Sequence, residues 1–143
     1  MSPEVPAHPG RKLFLNLPVA ALDRAVAFFS ALGFTFNPMF TDETATCMLV
    51  GDDAFVMLLV QPRFDGFSAR PRPDGHATTG HIIAFSVANR EEVDRVADAA
   101  LALGGQEAVP ATDHGFMYTR TFFDLDGHHW EVFYMDVAAF PAG

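Results

Sequence analysis

Among its 143 residues the chain has one cysteine, one tryptophan, and nine basic residues against eighteen acidic ones. A lone Cys47 cannot close an intramolecular disulfide, so nothing points to an oxidising compartment. Flanked by apolar residues, it reads as a buried thiol, and the alternative of a nucleophile is the poorer one. The longest unbroken apolar stretch is Ala54–Val60, far short of the roughly 20 residues that a membrane span needs. The opening MSPEVPAHPGRK lacks the apolar centre of a signal peptide, so a cytoplasmic protein without a membrane partner is expected. A net charge of −9 removes any general attraction for phosphate backbones, and nucleic acid is not an expected partner. Gly-rich phosphate loops, nucleophile elbows, CxxC pairs and HExxH helices are all missing from the sequence.

What is abundant is hydrophobic: 50% of residues, fifteen of them phenylalanine. That content rules out a disordered chain, and the length suits one domain with a real core. Residues 1–10 read as a flexible tail ahead of a single domain over 11–137. Residues 12–19 (KLFLNLPV) form a strand candidate that is apolar at nearly every position. Residues 21–32 carry Leu22, Ala25, Val26, Phe29 and Leu32 at helical spacing, with Gly33 as the stop. Three strand-like runs follow at 34–40, 44–50 and 54–60, completing a first module at about 11–61. Residues 62–79 hold three prolines and three arginines and read as a connecting loop, either a linker or a flap over a site. Then the order repeats over about 80–137. A strand at 80–87 leads into a helix capped by Asn89 with Glu92 three residues on, running to about Leu103. Strands are expected near 106–109, 115–123 and 128–135, with Asp126-Gly127 as a turn.

The order strand, helix, three strands therefore occurs twice, giving an α+β chain of two βαβββ modules. Residues 14–19 superpose by hand on 82–87, and 53–58 on 126–131. The stretches LNLPVAALDRAVAFFSALGF (15–34) and FFDLDGHHWEVFYMD (122–136) resemble the two signature stretches of the vicinal-oxygen-chelate superfamily. That group includes glyoxalase I, extradiol dioxygenases, fosfomycin-modifying enzymes and bleomycin-resistance proteins. The resemblance implies the glyoxalase/bleomycin resistance fold, in which eight strands form an open cup, but it implies no single reaction. It also implies a homodimer, with cups formed either within one chain or across two.

In metal-dependent members, four strands each point one ligand into the cup. Carried over, those positions fall on Phe14, Leu58, Ile82 and Glu131, and three of these are hydrocarbon. A lone carboxylate cannot hold a divalent ion in a specific geometry, so the resemblance carries an expectation of a lost metal site and no cofactor. Moving His81 into the third slot would still leave two ligands missing. The cup is then expected to hold Phe14, Asn16, Leu58, Ile82, Arg120, Phe122, His129, Glu131 and Phe133. If Asp124 to Gly127 make a four-residue turn, Phe123 pairs with His128 and Arg120 with Glu131, giving an ion pair inside the pocket. Such a cup suits a small organic molecule, either sequestered, as in bleomycin-resistance proteins, or transformed. The second reading is a glyoxalase-type lyase or isomerase of a small carbonyl substrate with Glu131 as general base. A third takes metal ligands from His114, His128 or His129.

Overall fold

The computed structural model describes residues 10–139, so all but Gly10 of the expected N-terminal tail lies outside the described residues. Module one runs β1 (Leu13–Val19), α1 (Leu22–Ala31), β2 (Thr35–Asn37), β3 (Ala45–Gly51) and β4 (Ala54–Val60). A short helix α2 (Gln61–Phe67) leads out of it. Module two runs β5 (Ile82–Ser86), α3 (Arg90–Ala102), β6 (Thr112–Asp113), β7 (Met117–Phe123) and β8 (His129–Met135). The two four-stranded sheets have the same order, β1-β4-β3-β2 and β5-β8-β7-β6. In each, the first strand pairs parallel with the last and the other pairs are antiparallel. This is the doubled βαβββ order, and the architecture is the glyoxalase/bleomycin resistance fold, with sheets that do not close.

Helical periodicity explains both long helices. On α1, Ala25, Phe28 and Phe29 are buried, and Leu32 just beyond it extends the stripe. On α3, the Asn89 side chain accepts the Glu92 N–H at 2.8 Å and the Glu92 carboxylate accepts the Ala88 N–H at 3.2 Å. The first bond occupies a donor that the helix leaves without an internal partner, and the second ties the residue ahead of the cap to the first turn. Its inner face is Val93, Val96, Ala97 and Ala100.

The modules share one core. Phe28 and Phe29 of module one pack on Phe122 and Trp130 of module two, with the Phe29 and Trp130 ring centroids 5.1 Å apart. Phe34 meets Phe85 edge to face at 5.1 Å. Leu17, Met48, Val56 and Leu58 complete the cluster from the first sheet. Neither module could bury its aromatic surface alone, because each sheet is covered partly by the other module's side chains.

Three expected elements differ. The strand at 34–40 stops at Asn37, because Pro38 has no N–H for a ladder and starts a 3-10 turn whose Met39 N–H bonds to Asn37 Oδ1 at 3.0 Å. The connecting loop begins as α2, since Pro62 sits in the first turn, where no N–H is required. The strand at 106–109 reduces to a bridge between Gln106 and Phe123. Further on, the Thr121 hydroxyl accepts from the Val109 N–H at 2.9 Å and donates to its carbonyl at 3.1 Å. It thus replaces the ladder with side-chain bonds. No helix among the described residues is long and apolar enough to cross a membrane.

Candidate functional site

Trp130 and Val132 of β8 are fully buried against the helices, so alternation turns His129, Glu131 and Phe133 to the opposite, concave face. Parallel pairing sets Ile82 beside His129, Ala84 beside Glu131 and Ser86 beside Phe133. On the other side Glu131 faces Thr121. In the first sheet Leu17, Val56 and Leu58 point into the core, which leaves Phe14, Asn16, Phe55 and Met57 on the concave face. Phe14 and Phe55 stack there with centroids 4.9 Å apart.

Six expected cup residues, Phe14, Asn16, Ile82, His129, Glu131 and Phe133, therefore share the concave side. Leu58, Arg120 and Phe122 do not. Leu58 and Phe122 are fully buried in the core. Arg120 lies opposite Val132, and its guanidinium bonds to Asp94 at 3.1 Å and Asp98 at 2.8 Å on α3. The Tyr118 hydroxyl adds a 2.6 Å bond to Asp94, and it and Arg120 hold that carboxyl below its ordinary range. The expected Arg120–Glu131 ion pair does not exist. The cause is one residue of register: Phe123 pairs with His129, so the turn spans 124–128 and every later partner shifts to the other face. A separate slip of one residue, in the superposition of 53–58 on 126–131, misplaces Leu58. With Phe14 over Ile82, Phe55 falls over His129 and Met57, not Leu58, over Glu131.

The Asp-Leu-Asp-Gly stretch is what makes that turn. Buried Asp124 accepts the backbone N–H groups of Asp126 at 2.8 Å and His128 at 3.0 Å, and the Trp130 indole N–H at 2.9 Å. Burial raises its pKa, while His128 and the indole bond pull the other way. Asp126 accepts the Ala20 N–H at 2.8 Å, and His128 Nε2 lies 2.7 Å from the Pro18 carbonyl oxygen. These two bonds tie the end of β1 to the turn of module two.

Beside this joint is a recess of about 270 Å³ between β1 and the turn, roofed by α2 and residues 73–81. Leu15, Pro18 and Phe64 give it hydrocarbon walls, and Asn16, His81 and His129 reach it with polar groups. The roof sits directly on the turn: a Cβ on Gly75 would lie 2.6 Å from the Asp126 carbonyl oxygen. A Cβ on Gly127, whose φ is +83°, would overlap the Gly75 carbonyl. His81 stacks on His128 with centroids 5.9 Å apart, and burial, then the His128 charge, pulls its pKa down. A wider groove of about 740 Å³ opens at the other end of β5, between Phe34, Phe55 and Phe85.

Sequence reasoning missed the recess. Its roof lies in the proline-rich connection, and only the flap reading of that loop pointed toward it. In the sequence His81 reads only as a candidate metal ligand. Asn16 turns its amide to the Phe14 carbonyl at 3.3 Å, and His114 stacks on Phe116 away from the recess. Glu131 has no hydrogen bond or ion pair among the described residues. The four ligand positions do not fit a divalent metal, for Phe14 and Ile82 are hydrocarbon, Met57 is a thioether, and Glu131 stands alone. Among the described residues no group of three or more His, Cys, Asp or Glu side chains could hold one.

Residues 11–51 match the family model for the bleomycin resistance protein-like N-terminal domain. Among solved structures, a hypothetical protein from S. aureus is 26% identical, with a TM-score of 0.73 over 86% of this chain and 92% of that one. A glyoxalase-related enzyme from Fulvimarina pelagi superposes at TM-score 0.73 with 18% identity, covering 94% and 93% of the two chains. A glyoxalase/bleomycin resistance protein/dioxygenase family enzyme from Burkholderia phytofirmans reaches 0.70 with 13% identity over 85% and 96%. No curated protein matches the sequence.

Proposed function

We propose that this chain, which is similar to the vicinal-oxygen-chelate superfamily in its N-terminal stretch and its fold, binds a small organic molecule on its concave side and does so without a resident metal. The observation that carries this reading is the donor set. Where metal-dependent members place four ligands, this chain offers two hydrocarbon side chains, one thioether and one carboxylate. Stacked Phe14 and Phe55, Ile82 and Phe133 offer apolar surface for a ligand, and Glu131 and His129 offer it polar contacts. Phe14 and Ile82 are 45% and 56% exposed, apolar surface of the kind that marks an interaction face. A second copy of the chain closes the cup over them, as a homodimer. Cys47, buried and unpaired, suits the reducing cytoplasm.

The test is elemental analysis of the purified protein with add-back of Ni²⁺, Zn²⁺, Fe²⁺ and Mn²⁺, followed by a small-molecule panel with and without chelator. Expected are no stoichiometric metal, no gain on add-back, and chelator-insensitive binding. A stoichiometric metal would overturn the reading.

A second reading is favoured by one observation: Glu131 is half-buried and its carboxylate has no partner among the described residues. That leaves it available as a general base in a lyase or isomerase acting on a small carbonyl compound. Turnover that survives chelator and falls at least a hundredfold in Glu131→Gln would establish this second reading. Binding without turnover, weakened in Glu131→Gln, would favour sequestration.

A further inference from the structure

The recess roofed by residues 73–81 differs from the rest of the concave side in one respect that selects a ligand. No Asp, Glu, Lys or Arg side chain among the described residues lines it, although the chain carries 27 such residues in all, 9 basic plus 18 acidic. Of the two carboxylates in the adjoining turn, Asp124 accepts from two backbone N–H groups and the Trp130 indole, and Asp126 accepts from the Ala20 N–H. The neighbouring surface hollow, by contrast, is lined by Arg24, Arg72, Asp74 and Asp126. With no carboxylate, ammonium or guanidinium group among the described residues of its lining and only histidine imidazoles as titratable groups, the recess offers an ion no permanent countercharge, and stripping water from an uncompensated charge is far costlier than desolvating a hydroxyl.

Size narrows the class further. About 150 Å³ of dry apolar space holds a benzene ring. A volume of about 270 Å³ therefore matches one ring with a few substituent atoms. The Phe64 ring and the Leu15 and Pro18 side chains supply flat hydrocarbon contact, while Asn16, His81 and His129 can exchange hydrogen bonds with a hydroxyl or carbonyl. The floor is already built, since the His128–Pro18 and Asp126–Ala20 bonds fix it without any ligand. We infer that this recess is a subsite for a neutral monocyclic aromatic molecule bearing a hydroxyl or carbonyl group. The inference rests on the reading that the concave side binds a small organic molecule, and it names that molecule's class and seat.

Three probes of one ring size test it: phenol, benzoate and benzylammonium, titrated into the full-length protein while the six histidine imidazole signals are followed by NMR. Phenol is expected to saturate, to move the His81 and His129 signals, and to bind at least tenfold more tightly than either ion. Phe64→Ala, at the surface of α2, should weaken phenol at least fivefold with the fold intact by circular dichroism. Gly75→Ala, which displaces the roof, should weaken it similarly. Either ion binding as tightly as phenol would overturn the inference. So would saturable phenol binding that leaves His81 unmoved and shifts Glu131 and Phe133 instead, although the cup itself would then still be a ligand site. If none of the three saturates, the subsite is refuted, and the wider panel decides the fate of the cup independently.

Discussion

The two modules build the same hairpin at the same place and use it differently. Between β3 and β4 the turn is Asp52-Asp53, exposed, with Asp53 in a surface ion pair to Lys12 at 3.2 Å. Between β7 and β8 the turn spans 124–128, and its Asp124 is 5% exposed and fully hydrogen-bonded. One turn merely reverses the chain. The other anchors Trp130, grips β1 through His128 and Asp126, and floors the recess. An equivalent position in a repeated module becomes a joint when its polar groups are taken from water and given partners across the repeat boundary.

The comparison can be broken most forcefully at Trp130. Trp130→Ala empties the centre of the shared core and frees one Asp124 oxygen, and it should cost about 3–5 kcal/mol in denaturant unfolding. Loss of only one module's signals would show that the core is not shared. Next come the glycines at the two hairpins, Gly51 at the end of β3 and Gly127 in the second turn. Gly127→Ala meets both a positive φ and the Gly75 backbone and should cost about 1–3 kcal/mol. Gly51→Ala meets nothing within 4 Å and should stay within about 0.5 kcal/mol. Equal losses at the two sites would mean that the roof does not rest on the turn.

A smaller effect is expected for Arg120→Met. Its partners Asp94 and Asp98 have side chains 48% and 68% exposed, so solvent screening holds the loss to about 1 kcal/mol or less. Ligand binding should be unchanged, since the residue lies on the helix side. The smallest effect is the pH dependence from His81, whose folded pKa lies below the ordinary histidine value. A depressed pKa means that the unfolded chain takes up the proton more readily. Stability is thus complete above about pH 6.5 and declines as pH falls through the folded pKa. His81→Gln should flatten the unfolding midpoint between pH 7 and pH 5.5 relative to the unmodified chain.

Much of the fold was legible because it is written in local patterns. The α1 stripe, the Asn89–Glu92 cap and the alternation of β8 each depend on residues within a few positions of one another. The concave positions Phe14, Asn16, Ile82, His129, Glu131 and Phe133 followed from alternation and the superposed order of elements. Of the positions that failed, Arg120 and Phe122 depended on the β7–β8 register and Leu58 on the superposition of the modules, and in each a slip of one residue exchanges the faces. The turn that sets this register is held by the donors Asp124 gathers, and one of these, the Trp130 indole, lies six residues away in sequence.

By itself the sequence determined the doubled βαβββ order, the helices and their buried faces, and the shortage of metal-ligating side chains at the cup positions. These are matters of composition and short-range periodicity, which the chain carries whatever its neighbours are. Only the tertiary structure decided that Arg120 serves α3 rather than Glu131, that the modules share one aromatic core, and that the proline-rich connection roofs a recess. Each of these joins residues far apart in the chain, as with Pro18 and His128 or Gly75 and Gly127. Such contacts depend on the register and packing of whole sheets, to which no short stretch of residues is sensitive.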